Sequence, residues 1–306
     1  MAHAHHHGAT HAGKRLAWST AVTLGFVVTE AIAGYFSQSL ALLSDAGHNF
    51  ADALALIIAW YGVWMAQKPS TERRTFGYHR VGTLAALVNS VSLVVIALLI
   101  FWEAAHRLGH PAPVRSTPMI VVAIMAIVMN TAISLWLRHE AKKDLNVRGA
   151  YMHMVGDAVS ALGVVIAGIV IATTGASIAD PLVSILIGFL ILVSSWGILR
   201  ESVDILLEAT PAGMNLSEVH DTIAQVHGVL AVHDLHVWTI GSEMICCSCH
   251  VMVNEQSVRS GEDVLRGVTE QLRSRFGIDH TTIQVEVEGC DPNDMFCLQK
   301  IVQHHH

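Results

Sequence analysis

Two pairs of residues carry the spacing of metal chemistry. His48 precedes Asp52 by four positions, and His153 precedes Asp157 by four. On an α-helix, residues i and i+4 share a face. Each pair therefore presents an imidazole and a carboxylate in the same direction. Those are two ligands for a borderline divalent metal such as Zn2+. Either pair taken alone also fits a polar helix end at a membrane interface, or a His–Asp hydrogen bond between packed helices. The repeat changes the balance, because two His and two Asp close a four-ligand shell. Both pairs lie in apolar segments, Leu40–Met65 and Ala150–Thr173. Ionised Asp at a bilayer centre costs roughly 2.5–3.5 kcal/mol on insertion scales, so such residues are rare there and call for a compensating partner.

The rest of the chain must hold those two segments together. It has 306 residues, of which 52% are hydrophobic and 14% charged, with a mean hydropathy of +0.48. That is too apolar for a soluble protein with a polar surface, and it fits a multi-span membrane protein in contact with lipid. A net charge of −7 carries no nucleic-acid signal. About 20 apolar residues cross a bilayer, and six segments qualify: 16–36, 40–65, 81–102, 117–137, 150–173 and 181–199. Lys14, Arg15, the loops 67–80 and 138–148 and Arg200 fall on one side, with only Arg107 and Arg115 on the other. The positive-inside rule then places both termini in the cytoplasm. Residues 1–15 read as a His-rich disordered tail, either metal-gathering or an expression tag in part. Glu30 and Asn89 lie inside spans, where helix–helix hydrogen bonding is the favoured reading.

The composition changes near Thr210. Asn215 can cap a helix to about Val226, strands follow at 232–240 and 245–253, Ser260 can cap an amphipathic helix to about Phe276, and a third strand covers 282–288. The order α-β-β-α-β predicts a small α+β, ferredoxin-like domain. The chain thus divides into a tail (1–15), a six-helix membrane domain (16–206), the ferredoxin-like domain (207–290) and a C-terminal tail (291–306). All five Cys follow residue 245, which suggests reduced thiols in a cytosolic domain. Cys246, Cys247 and Cys249 read as small buried strand residues.

Several stretches together resemble the cation diffusion facilitator family, in its bacterial zinc-transporting branch. They are SLALLSDAGHNFAD, RTFGYHR, LNVRGAYMHMVGD, ADPLVS, VHDLHVW and HTTIQVE, in this order. The resemblance covers nearly the whole chain after the tail. It implies a homodimer that exports divalent metal, most of all zinc, from the cytosol in exchange for protons; the short tails and compact loops favour a bacterial cell inner membrane. Cadmium and cobalt are the further substrates the resemblance implies. It assigns the transport site to His48, Asp52, His153 and Asp157. Asp45, one turn before His48, is on its position a candidate ligand for the metal as it enters, or else a helix-packing polar residue. The resemblance also implies a cytoplasmic metal site at His233, His250 and Glu286, with zinc as a regulatory ligand. His236 lies near that site, but alternation along a strand keeps it from facing the same metal as His233 without distortion. Cys290 and Cys297 resemble C-terminal thiol ligands of some members. In the loop after the second span, Arg74 and Tyr78 stand where some relatives carry metal ligands, so no ordered site is expected there. Three rival readings remain at this stage: an intramembrane zinc-dependent enzyme, a membrane-anchored metal sensor and a passive metal channel. The first lacks HExxH and an open metal position; the second would depend on His250 more than on Asp52 or Asp157.

Overall fold

The computed structural model describes residues 6–138, 145–241 and 244–288. Six long helices come first: α1 (His6–Ser37), α2 (Leu40–Ala66), α3 (Arg80–Gly109), α4 (Ser116–Leu137), α5 (Leu145–Thr174) and α6 (Ala179–Leu206). They are followed by α7 (Leu216–Ala224), β1 (Val229–Gly241), β2 (Met244–Val253), α8 (Val258–Phe276) and β3 (His280–Glu286). The architecture is that of an α-helical membrane protein with a small cytoplasmic α+β domain. At about 1.5 Å per residue, the 27 residues of α2 run some 40 Å, longer than a hydrocarbon core of about 30 Å. Among the described residues, α3, α4, Tyr151–Thr174 of α5, and α6 are each long and apolar enough to cross a membrane, and Val22–Ser37 forms a shorter apolar stretch. Large apolar side chains such as Phe36, Leu99, Val128 and Trp196 stay exposed on these helices. In water such surface would be costly, whereas lipid tails accept it.

The sequence expectation differs from the structure at several helix ends. α1 begins at His6, so part of the stretch read as a disordered tail is helical. α3, α5 and α6 all run past their apolar cores, because backbone hydrogen bonding continues through polar turns that hydropathy does not count. The cap of α8 is Ser257 and not Ser260: the Ser257 side chain accepts from the Ser260 N–H. Asn215 does cap α7, accepting from Ser217 N–H at 3.0 Å.

The described residues fall into two compact units, one within Met1–Ile58 and Val88–Leu199, the other within Ala59–Leu87 and Arg200–His306. In the first, small and branched residues from several helices, among them Ala41, Ala97, Ala123, Val164, Ala167 and Ile187, close a buried core. Small residues let helix backbones approach where lipid offers no hydrophobic drive. In the second unit β2 lies between β1, its antiparallel neighbour, and β3, its parallel one. Val219 and Ile223 of α7 and Val264, Val268 and Leu272 of α8 pack on this sheet. Gly241 admits a close neighbour: a Cβ there would stand 2.8 Å from the His79 carbonyl oxygen. The Arg74 guanidinium sits over the Tyr78 ring at 4.6 Å.

One buried carboxylate organises the start of α2. Asp180, on α6, accepts from Ser39 Oγ at 2.6 Å, from Leu40 N–H at 2.7 Å and from Ala41 N–H at 3.2 Å. These are orphan donors of a helix N-terminus, which a negative charge satisfies. Arg107 Nη1 lies 3.7 Å from Asp180 and donates to the Gln38 carbonyl at 2.6 Å. Asp180→Ala is expected to strand these buried donors at about 1–3 kcal/mol for each donor left without a partner. The variant should melt well below wild type in detergent, with Asp180→Asn in between. An unchanged melting temperature by fluorescence-detected size exclusion would show that the cap is dispensable.

Candidate metal centres

The first centre is built by α2 and α5. Their shared packing brings both HxxxD pairs to one place. His48 Nε2 lies 3.3 Å from Asp52 Oδ2 on the same helix, and His153 Nε2 lies 3.4 Å from Asp157 Oδ2. Across the interface, His153 Nε2 is 3.6 Å from Asp52 Oδ2. The two imidazole rings meet edge to face with centroids 5.9 Å apart. Ligand atoms of His48, His153 and Asp157 all fall within 4.8 Å of one another. Two buried polar atoms here, His48 Nδ1 and Asp157 Oδ2, have no hydrogen-bond partner. Orphaned polar atoms in an apolar setting are costly. Around a cation, the same side chains become ligands.

The four side chains are graded in exposure: His153 35%, Asp52 26%, His48 19% and Asp157 5%. Asp52 and His153 lie one turn nearer the α2 C-terminus and the α5 N-terminus. The centre is thus open toward those ends and closed toward the α1–α2 turn. Asp45 does not join the four. It accepts from Ser160 Oγ at 3.0 Å and is buried on the closed side.

The second centre spans the three strands. His233 on β1 pairs with His250 on β2 in the register, and Glu286 comes from β3. His233 Nε2 is 3.1 Å from Glu286 Oε2, and His250 Nδ1 is 3.1 Å from Glu286 Oε1. His250 Nδ1 nevertheless has no aligned hydrogen bond, and neither does the buried His233 Nδ1. Three ligand atoms again lie within 4.8 Å of one another. A one-residue bulge follows His233, where β1 gains a step on β2 and Asp234 takes φ +50°. A bulge re-aims the side chains beyond it. His236 is turned to Asp234, 3.1 Å away, and stays half exposed instead of facing the cluster. His280 meets the Phe76 ring at 5.5 Å.

Cys246, Cys247 and Cys249 are free and buried, as their strand position predicts. The hydrogen bond shared with Cys249, together with burial, pushes the Cys247 thiol far above its ordinary range. Burial also raises Cys246. Neutral thiols are poor nucleophiles and poor ligands. Cys290 and Cys297 lie outside the described residues. Glu30, which the sequence left as a helix-packing group, is buried beside the first centre and accepts from Asn49 Nδ2 at 3.4 Å, and Asn49, also buried, drew no reading from the sequence. Glu30 had a signal, an acid inside an apolar span; Asn49 had none.

A family model described as the cation efflux transmembrane domain matches residues 16–207. One described as the cation efflux protein cytoplasmic domain matches 211–288. The "Cadmium, cobalt and zinc/H(+)-K(+) antiporter" of Bacillus subtilis (strain 168) is 37% identical over 314 residues, covering 100% of both chains. The "Zinc transporter ZitB" of Escherichia coli (strain K12) is 37% identical over 314 residues, covering 100% of this chain and 99% of the relative. A solved structure, the "Metal-bound C-terminal domain of the CzcD transporter from Cuprividus metallidurans", is 34% identical over 24% of this chain and 99% of that chain, with a TM-score of 0.22.

Metal binding at either centre requires neutral imidazole and ionised carboxylate, so protons compete with it. Zinc affinity, read by titration calorimetry on the full chain, is expected to fall as pH is lowered from 7.5 to 5.5. His250→Ala should remove one zinc equivalent per protomer and leave the other. A stoichiometry unchanged by His250→Ala would take the second centre off the list of metal sites.

Proposed function

The chain belongs to the cation efflux (cation diffusion facilitator) family, and from that premise we propose that it exports Zn2+ from the cytosol in exchange for protons. Cadmium and cobalt, named among the substrates of the Bacillus subtilis relative, are further substrates in this reading. The observation that carries it is the convergence of His48, Asp52, His153 and Asp157 from two membrane helices. Two imidazoles and two carboxylates suit a borderline ion such as zinc better than a hard one. With two negative charges against one dication, the loaded centre is formally neutral. Emptied of metal, it needs protons to offset the same charges in an apolar surround. One site that must hold either a dication or protons, and that opens alternately to two sides, is an antiporter.

Both termini are cytoplasmic in this proposal, in the inner membrane of a bacterial cell. The open side of the centre, toward Asp52 and His153, then faces the cytosol and admits metal from there. The protein works as a homodimer, with residues 16–206 as the membrane domain and 207–290 as the cytoplasmic domain. The His233–His250–Glu286 centre binds zinc as a regulatory ligand rather than as cargo. Its ligands come from strands of a domain that folds around its own core, which suits a sensor of cytosolic zinc.

Zinc flux into proteoliposomes is expected to depend on an imposed pH gradient. In Asp157→Ala it should fall by roughly 100-fold or more, since losing even a group that only supports a ligand typically costs about 10–100-fold. Wild-type flux that ignores the gradient would replace the antiporter with a channel.

A further inference from the structure

One turn from the proposed transport centre, on its closed side, lies a second polar cluster. Glu30 of α1, Asp45 and Asn49 of α2 and Ser160 of α5 meet inside the helices. Glu30 is 1% exposed, Asp45 2% and Asn49 5%. The Glu30 and Asp45 carboxyl groups lie within hydrogen-bond reach of each other. Asn49 Nδ2 donates to Glu30 Oε2 at 3.4 Å, and Ser160 Oγ donates to Asp45 Oδ1 at 3.0 Å. The Asn49 amide thus faces the cluster, yet its Oδ1 is buried without any partner. Among the described residues, no Lys or Arg forms an ion pair with Glu30 or Asp45. Two adjoining buried carboxyl groups with an idle amide oxygen beside them offer oxygen ligands and lack a positive charge.

We propose that Glu30, Asp45 and Asn49 form a second cation station, which receives the divalent ion after it leaves the His48–Asp52–His153–Asp157 centre. The inference rests on the transport reading above. Position supports it first. Along α2, Asp45 lies one turn from His48 toward the α1–α2 turn, and Asn49, next to His48, reaches the same cluster through its hydrogen bond to Glu30. Along α5, Ser160 lies one turn beyond Asp157 in the same direction. The metal centre is open on the opposite side, so an ion crossing the protein must pass this layer next. Electrostatics supports it second. The pair interacts with the charges of His48, His153 and Asp157, so its occupancy is coupled to theirs. Donor chemistry supports it third. Carboxylate and amide oxygens form a harder set than imidazole, and they hold zinc more weakly. A weaker second station draws the ion forward without trapping it, as conduction along several sites requires. The geometry also revises the role of Asp45. It stands past the centre, and not ahead of it, for an ion coming from the side of the termini.

Two measurements on full-length protein test this. The first is Zn2+ titration calorimetry on His48→Ala/His153→Ala, with and without Glu30→Gln. The cytoplasmic centre contributes equally to both proteins and cancels. The double variant is expected to keep an additional zinc equivalent, bound about tenfold or more weaker than at the intact centre, which Glu30→Gln removes. Identical isotherms would overturn the station and leave the pair as protonated helix packing. The second is zinc flux in Glu30→Gln alone, expected to drop roughly tenfold while the main-centre Kd changes less than about twofold. Wild-type flux overturns the proposal, and so does a Kd that rises in step with the flux loss, which would make Glu30 a positioning residue. Asp45→Asn replaces Glu30→Gln in both assays if the latter elutes as aggregate. A wild-type protein without any zinc flux refutes the transport reading, but the paired isotherms still decide the station.

Discussion

An apolar interior tolerates charge only when charge is answered locally, and this constraint shapes the membrane unit. Its helices carry few ionisable side chains, and those they carry occur in company. His48 faces Asp52, His153 faces both Asp52 and Asp157, Glu30 faces Asp45, and Asp180 faces a helix N-terminus and Arg107. Asp180 is answered fully by protein donors and serves as a fixed anchor. The carboxylates of the candidate centre between α2 and α5 are answered only in part, by imidazoles that can carry a proton or give it up. That difference separates a structural carboxylate from one able to exchange partners. Glu30 and Asp45 are answered by neutral donors, Asn49 and Ser160.

The two candidate metal centres use different scaffolds for related donor sets. In the membrane unit, ligands come in i,i+4 pairs from helices, and the centre exists only where α2 and α5 lie side by side. Asp180 bears on this from a distance, since it fixes the first turn of α2 and hence the rotation of the helix that carries His48 and Asp52. In the cytoplasmic unit the ligands come one from each of three strands, and the hydrogen-bonded register sets their spacing. The bulge after His233 keeps that spacing while sending His236 elsewhere. A centre on a sheet is rigid because the ladder holds it. One between helices can open, because lipid-embedded packing of small residues resists sliding less than a ladder does.

Much of the fold was legible in the sequence, for a periodic reason. Apolar runs of bilayer length announce spans, and alternation between Val232 and Val253 announces strands. The four-residue interval of His48–Asp52 and His153–Asp157 is itself a statement about one helix face. Local signals were less dependable at the ends of elements. Ser257 and Ser260 are both competent caps, and only the backbone path chose Ser257. The start of α1 at His6 and the overrun of α3 past Trp102 depend on hydrogen bonds that hydropathy does not register.

By itself, then, the sequence determined which residues share a face, which segments prefer lipid and which side chains could ligate a metal. All of these follow from the repeat of a single element. The tertiary structure alone decided what faces what. Asp52 and His153 meet across about a hundred residues of chain, and Asp180 caps a helix 140 residues away. Asp45 turns to Ser160 and Glu30, and His236 turns from the cytoplasmic cluster because one strand gains a residue on its neighbour. No local pattern encodes such pairings, because they arise where whole helices and strands find the packing that leaves the fewest buried charges unanswered.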